Sequence, residues 1–235
     1  KDSPRKFKKD DVITEKFSKG YKKYIEGKNI ARYNIKWKNQ YIDYNNNFEY
    51  FHRPKFPELF ETNKIIIRAI SGKNNRLIAI FDDKHFFTNH TCYHLILWTD
   101  EIKKLQNPGK WNSTPSKNNS LLYLMGICSS KLISYYFSKF VATGTLQGSY
   151  SAVHAEEIRQ FPIKITAKAN QTKIENLVRK LLSENILSNT KNDVEQNISE
   201  NSTEKKIDCQ IDSLVYEIYG ISLEEQKIIE REFDN

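Results

Sequence analysis

The chain has 235 residues, 38% hydrophobic and 28% charged, with a formal net charge of +8, so it carries enough apolar surface for a real core. No uncharged apolar run approaches the roughly 20 residues that a membrane-spanning helix needs. Three widely spaced cysteines (Cys92, Cys128, Cys209) exclude a disulfide-stapled fold and, with no secretory leader, read as reduced thiols in a cytoplasmic protein.

In chain order, residues 1–20 are polar and charged and read as a connector from an upstream part. Residues 21–50 interleave cations with rings: Tyr21, Lys22, Lys23, Tyr24, Lys28, Arg32, Tyr33, Lys36, Trp37, Lys38. That mixture suits phosphate contact combined with stacking or packing. Lys64 to Ile70 and Arg76 to Phe81 are β-branched runs separated by Ser-Gly-Lys-Asn-Asn, which predicts a hairpin, and Thr91 to Leu97 supplies a third strand. Residues 106–120 are almost free of apolar side chains and read as a loop.

From Ser120 to Val141 the apolar spacing becomes helical, with Ser120 as N-cap. The polar, glycine-bearing segment Ala142 to Ser151 follows, and Glu157 to Ile163 returns to the core. Thr172 to Leu187 predicts an amphipathic helix, and residues 188–206, acidic and rich in Asn and Ser, predict a flexible linker. A helical pair over residues 207–235, broken at Gly220 and restarted by a Ser222–Glu225 capping box, ends the chain. The expected fold class is α+β: a mainly antiparallel sheet, a buried core helix and a C-terminal helical region, with residues 21–187 forming the main domain.

The charge is unevenly placed. Residues 1–40 hold 13 basic and 5 acidic side chains, residues 41–170 hold 16 and 10, and residues 171–235 hold 8 and 14. A polyanion is therefore expected to meet the first two thirds, although a lysine-rich proteome in which surface Lys only solvates gives the same counts. No catalytic centre emerges. His85, His90, Cys92 and His94 cluster without a convincing metal spacing. Asp83 with Glu101 and Lys103 matches a carboxylate-plus-lysine nuclease only loosely. Ser151 and His154 lack an orienting third group, and no glycine-rich phosphate cradle is present. The chain is expected to hold neither metal nor catalytic residue.

Four segments and the tail carry a resemblance. Lys28 to Tyr33, Phe51-His-Arg-Pro-Lys55 running through Leu59 to Arg68, Leu124 to Phe137 and Phe161-Pro-Ile163 resemble the TaqI-like C-terminal specificity domain. The tail, Ile211 to Glu225, is similar to the ending of adenine-N6 DNA methyltransferases fused to restriction enzymes, the type IIG arrangement. Where the family commonly has Asn before the Ser-Lys-Leu of its core helix, this chain has Ser129. The resemblance implies a target recognition domain of a bacterial restriction-modification system that holds double-stranded DNA. A separate methyltransferase domain of the same parent chain would then methylate a flipped adenine with S-adenosylmethionine. No cofactor is expected within these residues, because the family's Asn-Pro-Pro-Tyr and cofactor motifs do not occur here.

On that reading Thr145, Gln147, Ser149 and Tyr150 are expected to face base edges, with Arg53, Lys64 and Arg68 as further base contacts. A sheet-surface ion pair with Glu61 or Asp82 is the alternative for Lys64 and Arg68. Lys22, Lys23, Lys28, Arg32, Lys36 and Lys38 are expected on phosphates, while Trp37 is expected to be packed rather than stacked on a base. The competing assignment is a self-contained metal-dependent nuclease or a DNA-independent interaction domain.

Overall fold

A computed structural model describes residues 11–48, 51, 55–97, 99, 120–144, 150–188 and 196–233. The fold is α+β. Nine strands come first: β1 (Ile13–Thr14), β2 (Lys22–Ile25), β3 (Ile30–Ala31), β4 (Asn34–Ile35), β5 (Tyr41–Ile42), β6 (Lys64–Arg68), β7 (Ala79–Asp82), β8 (Phe87–Thr88) and β9 (Cys92–Ile96). The helical part follows: α1 (Leu121–Ser129), α2 (Lys131–Tyr136), a π-helical turn over Phe137–Val141, α3 (Ala155–Ile158), α4 (Lys168–Ser188), α5 (Gln196–Tyr219) and α6 (Leu223–Arg231).

The predicted hairpin and third strand form one antiparallel sheet in the order β7-β6-β9, with β6 central. Its centre is the run Ile65, Ile66 and Ile67, fully buried, as a strand covered on both faces requires. A second sheet, β1-β5-β2-β8, is antiparallel except for the parallel β2–β8 pair, and β3 with β4 makes a small hairpin. The connector expected over residues 1–20 is thus partly sheet, because β1 pairs with β5.

The core helix carries a correction. A single helix was expected from Ser120, yet α1 stops and α2 restarts at Ser130, whose backbone is extended. Ser130 Oγ donates to the Ile127 carbonyl at 2.7 Å and accepts from the Ile133 N–H at 3.3 Å, so one hydroxyl caps both helix ends. Ser120 caps the start of α1 as expected, accepting from Tyr123 N–H at 3.0 Å. Midway along α1, Gly126 admits α4: a Cβ there would sit 2.3 Å from Ile174 Cγ2.

Of the flexible linker expected over residues 188–206, residues 189–195 lie outside the described residues, while the rest meets a second correction, for α5 is already helical from Gln196. Further along, Ile207, Ile211 and Val215 join the same core as β6, α1 and α4. Packing supplies what local composition lacks. The C-terminal helices and the three-stranded sheet therefore share one hydrophobic core. Gly220, at φ +71°, ends α5 in the left-handed conformation that suits glycine, and the Ser222–Glu225 capping box opens α6. Among the described residues, no helix is long and apolar enough to cross a membrane.

Candidate nucleic-acid interface

The four-stranded sheet has two unlike faces. Tyr24, Ile42, Tyr44, Phe60 and Phe87 pack together as a small second core on one side. Because strand side chains alternate, Lys23 and its cross-strand partner Tyr41 point the other way. There Tyr41 meets Phe17 and Trp37 edge-on, each at 5.3 Å between ring centres. Lys23 Nζ lies 5.4 Å from the centre of the Trp37 ring, and Trp37 donates from Nε1 to the Gln40 carbonyl at 3.0 Å and touches Phe86. Trp37 is thus packed, as expected. Lys23, Lys36 and Lys38 are exposed, and among the described residues none of the three forms an ion pair.

The other cations expected on phosphates are engaged within the protein. Lys22 pairs with Glu61 at 2.6 Å and Lys28 with Glu26 at 2.9 Å. Arg32 turns inward: it binds Asp208 at 2.6 Å and donates to the Ser129 carbonyl at 3.0 Å. Arg76 completes this seam with bonds to Asp208 at 3.2 Å and Asp212 at 3.3 Å, and Tyr33 donates to Asp208 at 2.5 Å. Burial opposes ionisation of Asp208, yet Arg32 and Arg76 hold its carboxyl below the usual range. At Asp212 burial wins and the pKa is raised. Arg32 as a phosphate contact is thereby corrected: two carboxylates on α5 claim the local cations.

Lys64 is the clearest correction among the expected base contacts. It is fully buried, paired with Asp82 at 2.6 Å and donating to the Phe60 carbonyl at 2.6 Å. Desolvation lowers its pKa while Asp82 opposes that shift. Asp82 was named as its alternative partner, but the pair lies in the interior rather than on the sheet surface. A charge there survives only because each group is hydrogen-bonded; Asp82 also accepts from the Lys84 and Phe86 N–H groups, both at 2.9 Å. Arg68 is half-buried and donates to the Ile70 carbonyl at 3.0 Å. Arg53, Thr145, Gln147 and Ser149 lie outside the described residues.

Where the chain enters and leaves the polar segment, its backbone is tied down. Glu157, buried in α3, accepts at Oε1 from the Thr143 N–H at 3.0 Å and the Thr143 hydroxyl at 2.8 Å, and at Oε2 from the His154 N–H at 2.8 Å. One carboxylate thus joins positions 143 and 154. A second tie fixes the exit to the β6–β7 turn. Ser151 N–H donates to Ser71 Oγ at 2.8 Å, Ser71 N–H donates to the Ser151 carbonyl at 3.0 Å, and Asn75 Oδ1 accepts from Ser151 Oγ at 2.9 Å. Ile70 and Ala152 form an isolated β-bridge beside it. Sequence reasoning assigned Ser71 and Asn75 to a turn and Glu157 to a return into the core. The long-range pairings between them leave no local signature.

The thiol and imidazole cluster is dispersed into ordinary packing. His94 hydrogen-bonds Thr88 Oγ1 at 2.9 Å and meets Phe60 edge-on, and burial lowers its pKa to about 3. Burial pushes the Cys92 and Cys128 thiols up to about 12, which makes them inert. Among the described residues, no group of three His, Cys, Asp or Glu side chains is placed to hold a metal. Asp83 is exposed, while Glu101 and Lys103 lie outside the described residues.

A protein of Methanocaldococcus jannaschii named "Putative type II restriction enzyme and methyltransferase RM.MjaORFECS2P" is 28% identical over 201 residues, covering 85% of this chain and 14% of its own length. This chain therefore spans only a small part of that relative. The model of the TaqI-like C-terminal specificity domain matches residues 22–163, more than half of the chain and the span from β2 to α3, and the chain belongs to that family.

Proposed function

We propose that this domain recognises a DNA sequence for a restriction-modification enzyme, holding the duplex while methyl transfer takes place elsewhere. The match to a specificity-domain family over residues 22–163 carries this reading. Supporting it, Lys23, Lys36 and Lys38 are exposed cations without acidic partners among the described residues, suited to position phosphates without reading sequence. Base contacts are proposed for the polar segment, with Thr145, Gln147, Ser149 and Tyr150, and for Arg53 and Arg68.

Methylation of a flipped adenine at N6, with S-adenosylmethionine as donor, is proposed for a domain outside these 235 residues. The chain contains neither an Asn-Pro-Pro-Tyr segment nor a glycine-rich cofactor motif, so no catalytic step is assigned to its side chains. The reduced, buried Cys92 and Cys128 suit a cytoplasmic setting.

Anisotropy of a labelled random-sequence duplex, titrated with the 235-residue chain at rising salt, tests the reading. Expected is binding that weakens steeply with salt and leaves the duplex uncut in magnesium. Absence of binding at low salt would overturn it, as would nicking that disappears in Asp83→Ala.

A further inference from the structure

Two exposed apolar side chains flank the buried hydrogen-bonded tie between the β6–β7 turn and the polar segment: Ile70, 42% exposed, and Tyr150, also 42% exposed. Antiparallel pairing of Ile70 with Ala152 fixes their relation. Side chains alternate along extended chain, so Ser71 and Ser151 point inward, where both are buried, while Ile70, Ala152 and Tyr150 share the outward side. Ile70 and Tyr150 are diagonal neighbours across the bridge, within reach of one another. Exposed Lys73 stands in the same turn.

The two apolar side chains stand on a firmly built base. Beneath them, Asn75 Oδ1 accepts from Ser71 Oγ at 3.3 Å and Ser151 Oγ at 2.9 Å, and the two serines exchange bonds of 2.8 and 3.0 Å. Farther out, Glu157 holds Thr143 and His154 together. An apolar pair set on so rigid a base loses little conformational freedom on contact. In the major groove the apolar feature that distinguishes one base from the others is the C5-methyl of thymine.

We propose that Ile70 and Tyr150 form a specificity-determining apolar reader of thymine methyl groups, with Ser71, Asn75, Ser151 and Glu157 as its positioning residues. This rests on the DNA-recognition reading and names the base chemistry that the described part of the site would select.

The test begins with selection of duplexes from a randomised pool by the 235-residue chain. Binding is then measured on the enriched sequence synthesised with thymine and again with deoxyuracil, which lacks only the C5-methyl. Wild type is expected to prefer the thymine duplex by about fourfold for each methyl it covers. Ile70→Ala and Tyr150→Ala should each shrink that preference toward unity with the melting temperature unchanged; Tyr150→Ala, at a proposed base contact, should also weaken binding to both duplexes, so the ratio between the two duplexes is the readout. Ile70→Val should retain most of the preference.

An enriched site without thymine, equal wild-type binding to both duplexes, or a preference undiminished in both alanine variants would each overturn the methyl reader while leaving duplex recognition in place. Failure to bind any duplex would instead remove the functional reading on which it stands.

Discussion

The arginine–aspartate seam, through Arg32, and the outer face of the four-stranded sheet both draw on the basic stretch over residues 21–50 and put it to opposite uses. At the seam, Arg32 and Arg76 meet Asp208 and Asp212 at 2.6 to 3.3 Å and join both sheets' neighbourhood to α5. On the outer face, Lys23, Lys36 and Lys38 stand in solvent with no acidic partner among the described residues. The difference lies in where the acidic residues sit. α5 brings its carboxylates to the seam, so the cations there hold the fold together, while those of the outer face stay in solvent. A charge count along the chain merges these two populations, and the proposed phosphate contacts rest on the second.

The sharpest way to break this comparison is to disturb a paired cation in the interior. Lys64→Met leaves Asp82 buried without its cation and should cost about 3–5 kcal/mol, read as a lower denaturant midpoint. Adding Asp82→Leu should recover much of that loss. A smaller cost, of order 1–3 kcal/mol, is expected for Asp208→Ala, which strands Arg32 and Arg76. Equal stability in this variant would mean that the seam does not fasten α5.

Acid separates the seam from the sheets further. Arg32 and Arg76 keep the folded pKa of Asp208 below its unfolded value. The stability it provides is therefore present above that unfolded value and is lost as pH falls through the folded one. Asp212, raised by burial, changes in the opposite sense. His94 acts at milder pH: its folded pKa lies near 3 against an ordinary 6.5, so protons bind the unfolded chain preferentially between those values. Stability should then fall by roughly 1.4 kcal/mol per pH unit below about pH 6.5. His94→Gln should flatten that slope in equilibrium unfolding.

Glu157→Gln sharpens the view of the tied segment. It keeps the shape but weakens charge-assisted bonds to Thr143 and His154 and should lower discrimination between the enriched duplex and random DNA by about fivefold, on the order of 1 kcal/mol. A smaller change should follow Lys36→Ala on the outer face. Stability should stay within about 0.5 kcal/mol, while the slope of log affinity against log salt falls by about one unit on every sequence. A Lys22→Ala variant should do less, because Lys22 is already held by Glu61 at 2.6 Å.

Much of the scaffold was legible before any coordinates, for reasons that are local. The β-branched run of β6, the Ser120 cap and the Ser222–Glu225 box are each encoded within a few residues. The site was less legible. Lys64 and Lys23 both sit beside apolar strand residues, yet one is fully buried and the other exposed, and no short window of sequence distinguishes them. The linker expectation failed over residues 196–206 for a similar reason, because the helix is anchored farther along, where Ile207, Ile211 and Val215 join the core, and a polar composition upstream does not announce that.

By itself, then, the order of residues determined the α+β class, the main strand and helix positions, the front-loaded positive charge and the family resemblance, because periodicity, caps and composition act over short distances. Tertiary structure alone decided which cations are spent inside, how Glu157 joins positions 143 and 154, and how Ser71 and Asn75 meet Ser151. Those outcomes depend on pairings between segments as much as 176 residues apart, such as Arg32 with Asp208, and Coulombic and hydrogen-bonding contacts at that separation exist only once the chain has closed on itself.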